Sequence, residues 1–281
     1  MDASASWDPR TTPLRDGIAS RALEGVLRAE VYLEAKVRVC AAPAAGIHRA
    51  PDAASEQMDQ LLFGEAFEVI EEEGAYLWGQ ARRDGYVGFV AASALAAPGP
   101  EPTHRVSAIR TYAFAGPSIK AQAFGPYSLN ALVAVEAVEG RLAKAAGAGW
   151  MPVEHLAPIG GFETDMAAVA ERFLGAPYLW GGRESLGLDC SGLSQAALFA
   201  CGKACPRDAD QQAQMGRAIG RAEFGRGDLV FWRGHMAIGL DETRIVHANG
   251  HHMAVAIEPL DIAIKRIDAA GVGQPTAFRR L

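Results

Sequence analysis

The chain has 281 residues, enough for two or three domains, and its 49% hydrophobic and 21% charged residues are typical of an ordinary soluble globular protein. Its net charge of −6 provides no attraction for nucleic acid or for an anionic membrane, so neither is expected as a partner. No stretch approaches the ~18 uninterrupted apolar residues that a membrane-spanning helix requires.

The N-terminal residues and the cysteines indicate a compartment. Residues 1–10 contain no basic stretch followed by an apolar one, so no secretory signal is expected. Cys40, Cys190, Cys201 and Cys205 are then expected to be reduced thiols rather than a disulfide framework. Cys201 and Cys205 have a spacing that a metal could use, but no second pair accompanies them. These features favour a cytoplasmic protein without a zinc site.

The first third of the chain changes in pattern near residue 36. Residues 16–35 are rich in helix-favouring side chains with several apolar positions, which predicts an N-terminal helical extension over residues 1–35. Short apolar runs between glycine-containing turns then predict a small β-barrel over residues 36–98. The proline-rich residues 98–102 are typical of an exposed linker.

An internal repeat follows the linker. Residues 62–65 and 88–95 both recur at one common offset of 61 residues, which indicates a second copy of the barrel over residues 103–158. Glu65 and Tyr86 of the first copy are replaced in the second by a proline and a glycine. These two polar groups are therefore candidates for a task that only the first copy performs.

Residues 160–281 mix helices and strands. Helices are predicted from Met166 to Leu174 and from Cys190 to Cys201, the second with Asp189 as its N-cap. Strands are predicted over residues 228–232, 235–240, 244–248 and 253–257. This order predicts an α+β domain with an antiparallel sheet.

The candidate chemistry is that of a thiol nucleophile. Cys190 begins a predicted helix, whose N-terminus lowers the pKa of a cysteine, and His235 begins a predicted strand. A hairpin through residues 241–243 places His247 roughly opposite His235, where it would orient the imidazole. We therefore predict Cys190 as nucleophile, His235 as base and His247 as orienting residue. The alternative is a buried inert cysteine beside a structural histidine.

Three histidines could be considered as metal ligands: His247, His251 and His252. The last two lie in a glycine-flanked turn with no carboxylate or cysteine at ligand spacing, so a solvated turn is the expected structure. Neither a metal nor another cofactor is expected.

Five motifs in this part of the chain resemble the NlpC/P60 cysteine peptidases, in the same order: Tyr-Leu-Trp-Gly-Gly (178–182), Asp-Cys-Ser-Gly-Leu (189–193), Gly-Asp-Leu-Val-Phe (227–231), Gly-His-Met-Ala-Ile-Gly (234–239) and Ile-Val-His-Ala (245–248). The resemblance implies an α+β, papain-like NlpC/P60 catalytic domain preceded by two small bacterial SH3-like β-barrels. It is strongest for the SH3-containing γ-D-glutamyl-L-diamino acid endopeptidases, which cut muropeptides with a free N-terminal L-alanine.

That resemblance also implies substrate contacts in the C-terminal domain. Tyr178, Ser191 and Asp208 match the pattern, and Asp208 would pair with the free amine of the substrate. This chain has Ala209 where the group often has serine, so one hydroxyl contact is in doubt. Candidates for oxyanion donors are the backbone N–H of Cys190 and the hydroxyl of Tyr178.

The first SH3 domain of such enzymes also reaches the site, with an acidic and a tyrosyl side chain that Glu65 and Tyr86 match here. The implied function is a cytoplasmic cysteine peptidase that releases L-Ala-γ-D-Glu from a muropeptide during recycling. Two alternatives remain, a thiol amidase or acyltransferase on the same fold and a catalytically silent peptidoglycan-binding protein. The sequence leaves the diamino acid and the oligomeric state open.

Overall fold

The computed structural model describes residues 7–281, which form a short N-terminal sheet, two consecutive β-rich units and a C-terminal α+β unit. The α+β class predicted from the sequence is confirmed. The first part of the predicted N-terminal extension, residues 1–6, lies outside the described residues. Among residues 7–281, each helix is too short or too polar to cross a membrane.

Three short strands occupy the place of the predicted N-terminal helix, in the order β1-β2-β3: β1 (Leu14–Arg15), β2 (Ile18–Ser20) and β3 (Val31–Leu33). The helix prediction was wrong for two reasons. Gly17 and Gly25 have φ of +81° and +78°, a left-handed backbone that ends helical structure. Val26 and Val31 are exposed, so the apolar side chains form no buried helical face.

The first β-rich unit is a seven-stranded antiparallel sheet in the order β10-β4-β7-β8-β9-β5-β6. Its strands are β4 (Lys36–Cys40), β5 (Ala44–His48), β6 (Gln57–Leu62), β7 (Ala66–Glu73), β8 (Tyr76–Ala81), β9 (Val87–Ala91) and β10 (Leu95–Ala96). In β7, buried Phe67 and Val69 alternate with half-buried Glu68, as expected for a sheet with one face on a core. That core also contains Ile47, Leu61 and Val90.

The second β-rich unit contains a three-stranded and a five-stranded sheet. Its strands are β11 (His104–Val106), β12 (Arg110–Phe114), β13 (Ala123–Ser128), β14 (Leu132–Val133), β15 (Val135–Glu139), β16 (Leu142–Ala145), β17 (Gly149–Pro152) and β18 (Leu156–Pro158). A 3-10 turn at Val153–His155 lies between β17 and β18, as one at Ala92–Ala94 lies between β9 and β10, 61 residues earlier. This recurrence agrees with the proposed repeat, while the domain boundaries stay predictions.

The C-terminal unit packs helices on both faces of a six-stranded sheet in the order β21-β26-β22-β23-β24-β25. Its helices are α1 (Met166–Glu171), α2 (Cys190–Ala200), α3 (Ala209–Gln212) and α4 (Leu260–Ala269). Its strands are β19 (Arg183–Glu184), β20 (Gly187–Leu188), β21 (Arg217–Ala218), β22 (Leu229–Trp232), β23 (His235–Gly239), β24 (Arg244–Asn249), β25 (Ala254–Pro259) and β26 (Ala277–Arg280). The sequence analysis missed α4 and β26 and extended α1 by three residues.

Strand alternation divides the core of this unit into two layers. Ile238 and Val246 pack with α2, whereas Ala237 and Ile245 pack with α4. Successive residues of β23 and β24 therefore contact different helices. As a result, side chains from α2, the β23–β24 hairpin, β25 and α4 all come close to one end of the sheet.

Candidate active site

Cys190 is the first residue of α2 and is almost fully buried. The Asp189 carboxylate caps the helix, because its Oδ1 accepts a 2.7 Å hydrogen bond from the backbone N–H of Gly192. Asp189 Oδ2 also accepts from the N–H of Gly181, 2.9 Å away. The predicted cap is thus confirmed, and it ties the Gly-Gly turn to the helix that carries the thiol.

The electrostatic environment of Cys190 differs from the expectation. Burial, and after it the Asp189 carboxylate, raise the pKa of the Cys190 thiol to about 12, although the backbone N–H groups of Met236 and Ser191 act in the opposite direction. The lowered pKa expected from the helix N-terminus is therefore wrong, because burial outweighs the effect of the helix N-terminus on Cys190. Cys190 is a neutral thiol at neutral pH, so it needs a base to accept its proton.

The two predicted histidines meet in the β23–β24 hairpin. His235 begins β23, which packs against α2, and its Nε2 lies 2.8 Å from Nδ1 of His247 on β24. The paired register Ile238↔Val246 makes the two histidines diagonal rather than directly opposite neighbours. Burial and the nearby His247 lower the pKa of His235 to about 3, so its imidazole is neutral and can accept a proton.

A buried arginine that the sequence analysis did not single out anchors this region. Arg207 donates to Asp189 Oδ2 at 2.6 Å and to Ser191 Oγ at 2.8 Å, and it is almost fully buried. The Ser191 hydroxyl in turn donates to Asp189 Oδ1 at 3.2 Å. Ser191 is thus held by an internal network, in addition to lying beside the cavity next to Cys190.

Arg207 also belongs to a buried chain of ion pairs that runs into the first β-rich unit. Asp59 Oδ1, on β6, is 2.7 Å from Arg207 Nε and 3.4 Å from Arg183 Nε. Arg183 continues the chain to Glu65, with which it forms a direct ion pair. All four side chains are nearly inaccessible to solvent. We call Glu65, Arg183, Asp59, Arg207 and Asp189 the buried charge chain.

Glu65, the first residue of the buried charge chain, does not have the role that the sequence analysis predicted. Besides Arg183, the Glu65 carboxylate binds Arg83 Nε at 2.8 Å and the backbone N–H of Leu62 at 3.0 Å. Glu65 borders a cavity of about 460 Å³ between the two β-rich units, and not the cavity at Cys190. The prediction of Glu65 as a substrate contact is therefore wrong. Its carboxylate already binds buried partners, and it lies at the end of the buried charge chain that is farther from Cys190.

The cavity at Cys190 has a volume of about 400 Å³ and collects most of the predicted contacts. Its lining includes Tyr86, Tyr178, Ser191, Asp208 and Ala209, so a wall from the first β-rich unit faces one from the C-terminal unit. Burial raises the pKa of the Tyr178 phenol, with Cys190 as the next cause, so this hydroxyl stays protonated and can donate. No hydroxyl is available from Ala209 at this wall.

Glu56 supplies the acidic side chain that the first β-rich unit brings to this cavity. Its carboxylate accepts from Trp180 Nε1 at 3.0 Å and pairs with Arg49 at 2.8 Å, and Arg49 lowers its pKa. The repeat alignment pointed to Glu65 instead. Nothing in the local sequence singles out Glu56, because its partner Trp180 is 124 residues away in the chain.

The opposite wall is built around Asp208. Tyr86 donates to Asp208 Oδ2 at 3.2 Å, and Arg10 from the N-terminal segment binds the same oxygen at 2.9 Å. Arg10 also pairs with Asp210 at 2.8 Å. Burial raises the pKa of Asp208, while Arg207 and Arg10 oppose that shift. The N-terminal segment thus forms part of the site, which the sequence analysis did not anticipate.

One group could hold a metal ion within the described residues. Potential ligand atoms of His247, His252 and Glu258 all lie within 4.8 Å of one another. Glu258 is thus close to two of these histidines in space, although no carboxylate lies at ligand spacing beside them in the sequence. Arg266 forms an ion pair with the same Glu258 carboxylate, and its positive charge opposes the binding of a cation there.

Comparisons with known proteins match the two regions that form the cavity. Residues 175–268 match the NlpC/P60 family, and residues 47–95 match the bacterial dipeptidyl-peptidase Sh3 domain. A γ-D-glutamyl-L-lysine dipeptidyl-peptidase of Bacillus cereus is 30% identical over 105 residues, which cover 34% of this chain and 32% of that protein. A dipeptidyl-peptidase 6 of Lysinibacillus sphaericus is 35% identical over 111 residues, covering 38% and 40%.

The matched segments thus span only about a third to two fifths of these curated relatives. A solved structure of an NlpC/P60 family protein from Bacillus cereus aligns over 87% of this chain and 99% of its own, with a TM-score of 0.75. Its sequence identity is 18%, so this likeness concerns the fold. Together the matches show that the chain carries an NlpC/P60 domain and a bacterial dipeptidyl-peptidase SH3 domain.

Proposed function

We propose that the protein is a cysteine peptidase that hydrolyses the γ-D-Glu–diamino acid bond of muropeptides with a free N-terminal L-alanine. The observation that carries this proposal is the shared cavity, in which Cys190, the first residue of α2, lies with Tyr86 and Glu56 of the first β-rich unit and with Asp208 of the opposite wall. The names of the relatives, which include γ-D-glutamyl-L-lysine dipeptidyl-peptidase, agree with it.

The thiol chemistry follows from the neutral pair of Cys190 and His235. As the sulfur attacks the γ-carbonyl of D-glutamate, the thiol proton passes to the imidazole of His235, which acts as the general base. The oxyanion formed on the carbonyl requires donors, for which the backbone N–H of Cys190 and the Tyr178 phenol are available beside the cavity. His235 then protonates the departing amine, and water hydrolyses the acyl-enzyme to release L-Ala-γ-D-Glu and regenerate the thiol.

Selectivity for a free amine is assigned to the carboxylates of Glu56 and Asp208. An ammonium group in the cavity would form charge-assisted hydrogen bonds with them. The current partner of Glu56, Arg49, has a side chain that is 65% exposed, so exchanging that pair for the ammonium costs little. An acylated amine would leave both carboxylates without this partner, which predicts cleavage after an N-terminal dipeptide rather than within capped wall strands.

The decisive experiment is incubation with L-Ala-γ-D-Glu-meso-diaminopimelate, with and without N-acetylation, followed by mass spectrometry. Release of L-Ala-γ-D-Glu from the free tripeptide alone, and none by Cys190→Ala, supports the proposal. No release by the wild type, or equal release by Cys190→Ala, contradicts it. Equal cleavage of both peptides would favour the amidase or acyltransferase alternative, and retention on sacculi without cleavage would favour a binding protein.

We also propose that this reaction serves muropeptide recycling in the cytoplasm. The four cysteines are unpaired in the structure, which suits a reducing compartment. Fractionation of cells that express the full-length protein, with a periplasmic or secreted marker as control, tests this assignment. Recovery with the external marker would contradict it.

A further inference from the structure

Behind the two histidines lies a carboxylate that the mechanism above does not use. Glu258, on β25, is buried, and its Oε1 lies 2.9 Å from Nε2 of His247. The contact is at hydrogen-bond distance, although it is not well aligned with the imidazole N–H direction. His247 itself is almost completely inaccessible, so water does not compete for its ring nitrogens.

The positions of the protons follow from this line of contacts. A carboxylate only accepts hydrogen bonds, so the neutral His247 ring carries its hydrogen on Nε2, toward Glu258. Its Nδ1 is then the acceptor in the 2.8 Å contact with His235 Nε2, which must donate. Nδ1 of His235 therefore keeps its lone pair and is the nitrogen available to take the thiol proton.

The charges near Glu258, His247 and His235 support this assignment of the protons. Glu258 is the group that favours the protonated form of both histidines, against burial and against Arg266 from α4. His252, in the loop before β25, is the remaining titratable group near His247, and it disfavours protonation. When His235 accepts the thiol proton, the Glu258 carboxylate compensates the new positive charge through His247, which lies between the two residues.

Arg266 keeps Glu258 in its ionised form. The guanidinium pairs with the same Oε1 that faces His247, and His247 and Arg266 together lower the pKa of Glu258 to about 2. Glu258 therefore stays an acceptor across the neutral range and does not take the proton from His247. Both Glu258 and Arg266 belong to elements outside the five sequence motifs.

We propose that Glu258 is a positioning residue for the nucleophile pair, which acts through His247 by fixing its tautomer and by compensating the charge that develops on His235. The inference rests on the proposed thiol chemistry, and it does not depend on which peptide is the substrate. It adds a fourth side chain to Cys190, His235 and His247.

Two variants separate the roles of Glu258. Glu258→Leu removes both the acceptor and the charge at nearly constant size, whereas Glu258→Gln keeps an acceptor oxygen and removes only the charge. Asp261→Asn is the matched control, because Asp261 lies on the neighbouring helix α4, has a side chain that is 75% exposed and pairs with Arg221 instead.

The first measurement needs no substrate. In ¹⁵N-histidine spectra of the wild type and of Asp261→Asn, His247 is expected to carry its proton on Nε2 and His235 likewise. Glu258→Gln should keep these tautomers, and Glu258→Leu should lose them. A His247 proton on Nδ1 in the wild type, or unchanged tautomers in Glu258→Leu, would overturn the proposal.

The second measurement is kinetic. Glu258→Leu should lower kcat by about tenfold to hundredfold with less than about a twofold change in KM, and Glu258→Gln should recover part of that loss. The rate of Cys190 alkylation by iodoacetamide, resolved by mass spectrometry, should fall in parallel. If no tested peptide is cleaved, the proposed function fails, whereas an alkylation rate in Glu258→Leu equal to that of the wild type refutes the role of Glu258.

Discussion

Asp59→Asn is the sharpest test of the buried charge chain. Asp59 is completely buried on β6 and is the link that accepts from Arg207 and Arg183. The substitution keeps the size of the side chain and an acceptor oxygen, but it removes the negative charge between two buried guanidinium groups. Asp59 does not line the cavity at Cys190, so the substitution leaves the side chains of the cavity wall unchanged.

The expected loss of stability follows from the contacts that remain. Breaking a buried ion pair by removing one partner costs about 3–5 kcal/mol, because the other charge stays buried without compensation. Here Arg207 retains contacts of 2.6 and 3.0 Å to Asp189, and Arg183 retains Glu65. We therefore expect the lower end, about 3 kcal/mol, which is roughly a 150-fold change in the unfolding equilibrium.

Urea unfolding followed by tryptophan fluorescence measures this loss. Glu68→Gln in the same unit is the matched control, since its pair with Arg82 is solvent-accessible, with side chains that are 33% and 53% exposed. The control should lose less than about 1 kcal/mol. If Asp59→Asn loses no more than Glu68→Gln, the chain does not hold the two units together and the reasoning is refuted.

Three further predictions concern the cavity and its surroundings. Glu56→Gln should raise KM for the free tripeptide by about tenfold, the loss expected for one charge-assisted hydrogen bond, whereas an unchanged KM would exclude Glu56 as an ammonium ligand. Burial raises the pKa of Asp208 and the positive charge of Arg10 opposes that rise, so Arg10→Gln should raise this pKa further. KM, which is expected to increase as Asp208 is protonated at acidic pH, should then begin to increase at a higher pH than in the wild type. A shift to lower pH would contradict this assignment. The folded-state pKa of Glu258 is lowered from 4.5 to about 2, so its stabilising contribution is complete above pH 4.5 and is lost as the pH falls toward 2. Acid unfolding of Glu258→Leu should therefore show a smaller loss of stability across that window than the wild type, and identical curves would contradict it.

The parts of the structure that could be predicted from the sequence are those set by local chemistry. Asp189 caps α2 because its carboxylate reaches an N–H three residues away, and the β23–β24 hairpin follows from two short apolar runs around a polar turn. Both signals lie within a few residues of the structure they specify. The meeting of His235 and His247 follows from them directly.

The errors came from contacts between residues that are distant in the chain. Glu56 precedes β6 and Glu65 follows it, and the sequence around them does not show which one faces the cavity. Their roles depend on the residues that they contact in the folded protein. Glu65 pairs with Arg183, which is 118 residues away, whereas Glu56 meets Trp180 across the cavity, 124 residues away. Arg10 likewise reaches Asp208, 198 residues away, from the N-terminal segment for which no role in the site was predicted. No local pattern encodes such pairings.

The buried charge chain needs an explanation other than stability, because well-packed apolar side chains of similar volume are often as stabilising as a buried ion pair. What an arginine fork adds is fixed geometry. Arg207 contacts Asp189 and Ser191, the residues on either side of the nucleophile, and Asp59 holds Arg207 from the first β-rich unit. A misplacement of about 1 Å can cost about a hundredfold in rate, so we expect a substitution that loosens this link to slow the reaction. The SH3 domain therefore contacts the site in two ways: Tyr86 and Glu56 line the cavity, and Asp59 binds the arginine that contacts the neighbours of Cys190.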